Sequence, residues 1–297
     1  ASRPAAPPSA TLDLRAEPAR DEMLLRWVVT IPPGPRRPLA VRFRAPEGIL
    51  LDGKCALRMT LSPVRRSGTI EVRGAGGNLP LSRIVLDGEI TGRGVHVPFR
   101  ESCDATSLRR FLMIGPFDNR GGRGMRTAFG PERERPGRKP HRGDGGGYVR
   151  WSVAGARPAA GTHTPADPAL LDLREEIIRK EHVAGYTYTA IRAERAVRAV
   201  LVLETPCAVR AWVAGRLVAR HDRPRAAPPR SFAVPVSFAA GWTPLLVKLG
   251  RKEYPAWRIR CRLEGTDGGP PPAGLTHGVG PAALRAYVIP VRRTPRR

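Results

Sequence analysis

Gly121-Gly122-Arg123-Gly124, at the end of the run FLMIGPFDNRGGRG over residues 111–124, is a candidate phosphate-cradling loop. The chemistry needs more than glycine. A P-loop requires Gly-Lys-Ser/Thr opening a helix, and a dinucleotide fingerprint requires a following helix with an acid about 20 residues on. Neither is present, so the cluster reads as a turn that needs positive φ. The residues before it read as a structural corner. Gly115-Pro116-Phe117 is expected to turn a strand out of its sheet, with Phe117 plugging the sandwich edge. Asp118 and Asn119 are expected to cap the turn through side-chain-to-backbone hydrogen bonds.

The remaining reactive side chains are scattered. His96, His141, His163, His182, His221 and His277 show no metal-ligand spacing, so no metal site is expected. His221-Asp222 has the composition of an acid–base dyad, but it lies in a Pro/Arg-rich stretch without a Ser or Cys in a nucleophile motif. Glu175-Glu176 on a helix would diverge by about 100°, which rules out one shared cleft and fits a solvated helix face. No enzyme and no cofactor are expected. Cys55, Cys103, Cys207 and Cys261 form no CxxC pair. They read as small buried thiols, with two disulfides as the alternative in an oxidising compartment.

Aromatic rings offer a different chemistry, because they stack on the apolar faces of sugars and on bases. Tyr186 and Tyr188 alternate on one strand face and would form such a platform, or else be half-buried. Trp242 follows a glycine at a strand entrance, where it is either a ligand contact or a corner packer. Trp151, Trp212 and Trp257 have the neighbours of core positions.

These residues need elements to hold them. Short alternating runs recur from Met23 to Arg100, among them MLLRWVVTI (23–31), LAVRFRA (39–45), CALRMTLS (55–62) and GTIEVR (68–73), with Arg83–Leu86 and Val95–Arg100 following. Turn residues close each run, and no helix pattern intervenes, which points to an immunoglobulin-like sandwich over 21–104. Residues 1–20 read as a Pro/Ala-rich linker, with one strand at Ala10–Leu14. After a compositional break near 103–107 and a Gly/Arg/Pro-rich loop at 118–147, period-two patterning returns at Tyr148–Val153. Asp167–Lys180 reads as the one helix, with an Asp N-cap and Pro at its first position. Strands resume at Gly185–Ile191, Ala196–Leu203, Ala208–Val213, Arg216–Ala219, Phe232–Ser237, Leu245–Leu249 and Ala256–Leu263. A closing segment, 267–297, holds Pro/Gly residues, a strand at Leu284–Ile289 and a basic tail. The expectation is therefore all-β: two β-sandwich domains with a short helix in the second.

Composition adds one constraint. Lys plus Arg number 51 against 26 Asp plus Glu, giving a net charge of +25. Five of the cations are lysines and the rest arginines, alongside 32 Gly and 32 Pro. That mix fits a GC-rich genome, yet the charge attracts acidic polymers at low salt. No apolar run reaches the 18 residues of a membrane span. The first residue is Ala1, which fits either a trimmed chain or a mature N-terminus after signal cleavage.

The stretches FLMIGPFDNRGGRG, VAGYTYTAI with AVRAVLVL, and AVRAWVAGRLV with GWTPLLVKL resemble the non-catalytic jelly-roll modules, PA14-like or galactose-binding-like, of bacterial (planctomycete-type) secreted and surface proteins. The likeness spans 107–266, and the preceding unit is similar in architecture to the Ig-like domains that accompany such modules. It implies a binding or structural module outside the cytoplasm that recognises glycan or another cell-envelope component. Thr205-Pro206-Cys207 departs from the family's acidic calcium turn, since Pro206 and Cys207 bring no side-chain oxygen. A polyanion-binding protein that uses its arginines, for nucleic acid or acidic polysaccharide, is the alternative. A glycoside hydrolase part ranks below both.

Overall fold

A computed structural model describes residues 11–18, 23–30, 39–46, 49–61, 67–74, 79–81, 83–92, 95–104, 106–155, 170–178, 180–222, 229–252 and 257–290. The chain divides into two compact units, Ala1–Leu79 with Arg83–Ala105, and Pro80–Ser82 with Thr106–Arg297. Both are all-β.

In the first unit one antiparallel sheet has the order β1-β2-β6-β4: Thr11–Pro18, Met23–Thr30, Ser67–Gly74 and Ile49–Leu51. The other has the order β5-β3-β8-β9: Ala56–Leu61, Leu39–Arg44, Arg83–Gly92 and Val95–Asp104. The alternation of LAVRFR is realised directly, with Leu39, Val41 and Phe43 buried while Arg42 and Arg44 are exposed. Trp27, Val41, Phe43, Ile70, Ile84 and Ile90 join the two sheets in one core. At Gly88 an added Cβ would sit 2.2 Å from the Phe99 ring, so the missing side chain lets that ring lie against Phe43, with centroids 5.6 Å apart.

In the second unit the larger sheet has the order β13-β10-β15-β20-β17-β18. These strands are Ser152–Gly155, Arg110–Asp118, Val183–Ala193, Gly241–Arg251, Ala208–Val213 and Arg216–His221. β22 (Leu275–Gly278) pairs with the far end of β15, and β7 (Leu79–Pro80), the entry into 80–82, pairs with β22. The facing sheet has the order β14-β21-β16-β19: Leu170–Asp172, Arg258–Glu264, Val197–Thr205 and Arg230–Phe238. β11 (His141–Arg142) and β12 (Tyr148–Val149) form a small ribbon. Phe111, Met113, Leu201, Val209, Val247 and Trp257 fill the space between the two main sheets.

β15 and β20 are buried on both faces. Side chains of one strand alternate between faces. Thus Val183 and Ile191 enter the inter-sheet core, while Ala184, Tyr186, Tyr188 and Ala190 face a second apolar layer. That layer is closed by 3₁₀ turns at Arg120–Met125 and Gly130–Glu132 and by α2 (Pro281–Arg285). α1 is the four-residue helix Leu173–Glu176.

Several expectations are corrected. Leu284–Ile289 is not a strand: Pro281 follows Gly280 at a helix start, and α2 lies on the sheet face, where Ala283 is fully buried. The expected helix at Asp167–Lys180 reduces to α1, because Leu170–Asp172 pairs with β21, and Asp172 rather than Asp167 is the N-cap, accepting from Arg174 N at 2.9 Å. Residues 167–169 and the side chains of Glu175 and Glu176 lie outside the described residues. The expected strand Tyr148–Val153 is split between β12 and β13. Gly115-Pro116 does not turn the chain out of the sheet. β10 runs on to Asp118 through a register shift between Ile114 and Phe117, the mark of a bulge. The Gly115–Pro116 peptide is cis, and Gly115 is needed for close approach: its Cβ would lie 3.2 Å from Gly185 Cα and 3.3 Å from Ala184 O. The glycine cluster does use positive φ, at 61° for Gly121 and 74° for Gly122.

Two stability outcomes follow from these contacts. Gly115→Val forces a branched side chain against the β15 backbone, and a loss of about 1–3 kcal/mol in the second unit is expected by chemical denaturation. An unchanged denaturation midpoint would mean that β15 yields without cost. Leu81 is fully buried in the second unit's core, and its N–H bonds Leu275 O at 2.8 Å. Leu81→Ala is therefore expected to cost about 2–4 kcal/mol, and a fragment of residues 107–297 is expected to melt below the second unit of the full chain in calorimetry.

Candidate functional site

Tyr186 and Tyr188 share a face as the alternation requires, but both are fully buried. The Tyr186 hydroxyl donates to Glu132 Oε1 and the Tyr188 hydroxyl to Ala283 O, each at 2.5 Å. They therefore form no exposed stacking platform. Trp242 is half-buried and packs on the same layer. Of the corner residues, Phe117 is fully buried and stacks on Phe129 at 4.8 Å. Asp118 Oδ1 accepts from Arg120 N at 2.9 Å, and this bond leads the effects that hold its carboxyl below the usual range. Asn119 Oδ1 accepts from Met125 N at 3.2 Å, and its Nδ2 donates to Arg251 O at 3.2 Å. The expected capping is present.

Sequence reasoning passed over Lys248, the lysine inside the apolar run of β20. It is fully buried. Nζ donates to Thr127 O at 2.5 Å and to Glu132 Oε1 at 2.8 Å. It also lies 4.9 Å from the centroid of the Phe129 ring and 5.1 Å from that of Tyr186. Burial lowers the ammonium to about 8 against the opposing pull of Glu132. The signal available in the sequence was a cation flanked by Val247 and Leu249; its partner, more than 100 positions away, carried none.

The other candidates resolve into structure. His221-Asp222 makes no catalytic dyad, because Asp222 accepts from Arg210 Nε at 2.9 Å and from Arg220 Nη2 at 2.6 Å. Burial opposes the Asp222 charge, but these bonds outweigh it and bring the carboxyl down to about 2. His277 Nε2 accepts from Arg109 N at 2.9 Å. Cys207 and Cys261 are buried thiols, and burial pushes Cys207 up to about 11. Cys55 is an exposed free thiol, contrary to its expected burial, and the Cys103 side chain lies outside the described residues. Trp257 and Trp212 are core residues as expected, while Trp151 is half-buried. No group of His, Cys, Asp and Glu suited to a metal ion occurs among the described residues.

The arrangement open to a ligand is the outer face of the β14-β21-β16-β19 sheet. On β21, Ile259, Cys261 and Leu263 point inward, so Arg258, Arg260, Arg262 and Glu264 point outward. Glu204 of β16 bridges Arg260, at 2.7 Å, and Arg262; Arg262 Nε also donates to Glu264 Oε1 at 2.8 Å. Beside them Leu170, Glu204, Pro206, Pro229, Arg258 and Arg260 line an open groove of ≈ 220 Å³. No described carboxylate forms an ion pair with Arg258, across which β14 places Asp172, itself engaged by Arg174. Burial, followed by the charge of Arg262, lowers the Arg260 pKa. Chemically it can hold a carboxylate or sulfate; it holds no nucleophile–base pair.

No family model matches the sequence, and no curated protein matches it. Among solved structures, two anti-sigma factor domain-containing proteins, one of them from Clostridium clariflavum, are similar with TM-scores of 0.32 and 0.33 and identities of 9% and 12%. The matches cover 86% and 90% of this chain and 84% and 91% of theirs. A GH78 family rhamnosidase of Bacillus sp. GL1 has a TM-score of 0.22 and 16% identity over 88% of this chain and 34% of that one. Likeness this slight carries no argument about function.

Two outcomes test the buried cluster. Glu132→Ala strands the Lys248 ammonium, with an expected loss of about 3–5 kcal/mol, whereas Lys248→Met combined with Glu132→Gln recovers most of it; equal losses in both would remove the ion pair from the account. Burial raises the pKa of Tyr186, Tyr188 and Tyr287 above the ordinary value of 10.0. Their stabilising contribution is complete below pH 10 and is lost as pH rises beyond it, because the unfolded chain ionises first. Tyrosine ionisation followed by ultraviolet absorbance is expected to coincide with unfolding above pH 10.

Proposed function

We propose that the chain is a non-catalytic binding module of an extracytoplasmic protein and that its second unit takes hold of an acidic polysaccharide. The observation that carries this reading is the groove beside Arg258 and Arg260. Residues at alternate positions of one strand stand about 6.6 Å apart along it and share a face. Each of the two arginines carries a planar fork suited to a carboxylate or sulfate, that of Arg260 being shared with Glu204. The net charge of +25 supplies the long-range attraction.

The burial of Tyr186 and Tyr188 weighs against a neutral glycan held by ring stacking. Single-stranded nucleic acid is also disfavoured, since bases stack on aromatic rings. The outward positions of β16, β19 and β21 carry Val200, Val202, Ala233, Pro235 and the charged residues, with no ring among them. The extracytoplasmic setting, the PA14-like jelly-roll character of the second unit and the Ig-like character of the first rest on the sequence resemblance. The first unit's strand orders, β1-β2-β6-β4 and β5-β3-β8-β9, support the last of these.

Retention of the full chain on a carboxylated or sulfated polysaccharide tests the proposal. Binding is expected at low salt, with affinity falling steeply as salt rises. Arg258→Ala combined with Arg260→Ala is expected to weaken it about tenfold and to flatten the salt slope. A double variant that binds like the parent would remove this groove from the function, and salt-independent retention would return the neutral glycan.

A further inference from the structure

The outer face of the β5-β3-β8-β9 sheet in the first unit sets two arginines directly opposite each other. In the β3–β5 register Arg42 faces Arg58, and both are exposed. Side chains so placed have Cβ atoms about 5 Å apart, and like charges in this relation destabilise a sheet. The sheet offers little relief. Glu89, opposite Arg42 on its other side, stands 3.9 Å from Arg42, at the limit of an ion pair, and its other oxygen lies 3.8 Å from His96. Asp87 is engaged by Arg100 at 3.7 Å. No carboxylate among the described residues pairs with Arg58. Arg42, Ala56, Leu57, Arg58, Glu89 and Thr91 line an open groove of ≈ 390 Å³ at this place.

We infer that Arg42 and Arg58 together hold a tetrahedral oxyanion, a sulfate or phosphate ester group, in this groove. Two forked donors on adjacent strands can each give two N–H groups to different oxygens of one tetrahedral group, a geometry that a point-charge ammonium does not reproduce. The anion turns the repulsive pair into a bridged one. Glu89 takes one side of Arg42 and leaves the Arg58 side to the ligand. This site lies in the other unit from the Arg258–Arg260 groove and does not rest on the reading of that groove.

The test uses the full chain with inorganic sulfate in the low millimolar range, ionic strength being held constant with sodium chloride. The arginine Nε–H resonances of Arg42 and Arg58 are expected to shift saturably. Arg58→Gln is expected to abolish the Arg42 shift and, in low-salt chloride, to raise the melting temperature of the first unit by removing the repulsion. Arg58→Lys is expected to keep the Arg42 shift at several-fold higher sulfate concentration. The Arg258→Ala/Arg260→Ala variant is expected to leave the titration unchanged, which separates this site from the groove of the second unit. A sulfated disaccharide and a dinucleotide, used as competitors, identify the source of the ester by which of them displaces sulfate at the lower concentration. Shifts that stay linear, shifts that persist in Arg58→Gln, or an Arg58→Gln melting temperature at or below the parent's would each overturn the site.

Discussion

The Lys248 ammonium, buried inside a β-strand, is the constraint around which the second unit is arranged. A charge removed from water is tolerated only when it is paired and hydrogen-bonded. Its partners come from elsewhere in the chain: Thr127 O and Glu132 Oε1, both on the segment that leaves β10. That segment must therefore fold back over the sheet. Glu132 also accepts from Tyr186, and Phe129 lies beneath the cation while stacking on Phe117. Tyr287 closes the arrangement by donating to Pro131 O, which ties the residues after α2 to the same place. A single cation thus couples β10, the 3₁₀ turns and the C-terminal segment.

This coupling decides where ligands can bind. The face of the large sheet that carries its tyrosines is closed by the protein's own chain, so its aromatic surface serves packing. Among the described residues, open grooves lie on the outer faces of β14-β21-β16-β19 and β5-β3-β8-β9. Strand alternation buries every second residue there and leaves arginines on the outward positions. In one case Glu204 partly neutralises them, and in the other Arg42 and Arg58 stand opposed. A pleated strand has only two directions in which to point a side chain, so the arginines of these strands that avoid the core share one face.

What the sequence by itself determined was local. RIRCRLE and LAVRFR alternate, and their burial alternates with them. Gly121 and Gly122 announced positive φ, and Asp118-Asn119 announced a capped turn; both are present. Leu284–Ile289 looked like a strand because its apolar residues suit one, yet Pro281 begins a helix that a sheet face covers. The tertiary structure alone decided that Tyr186 and Tyr188 are buried, that Leu81 belongs to the second unit's core, and that Lys248 meets Glu132. The physical reason is that periodicity fixes which residues share a face, whereas the covering of that face depends on segments far along the chain. A buried charge or a buried hydroxyl is permitted by its partner, and the partner is not a neighbour in sequence.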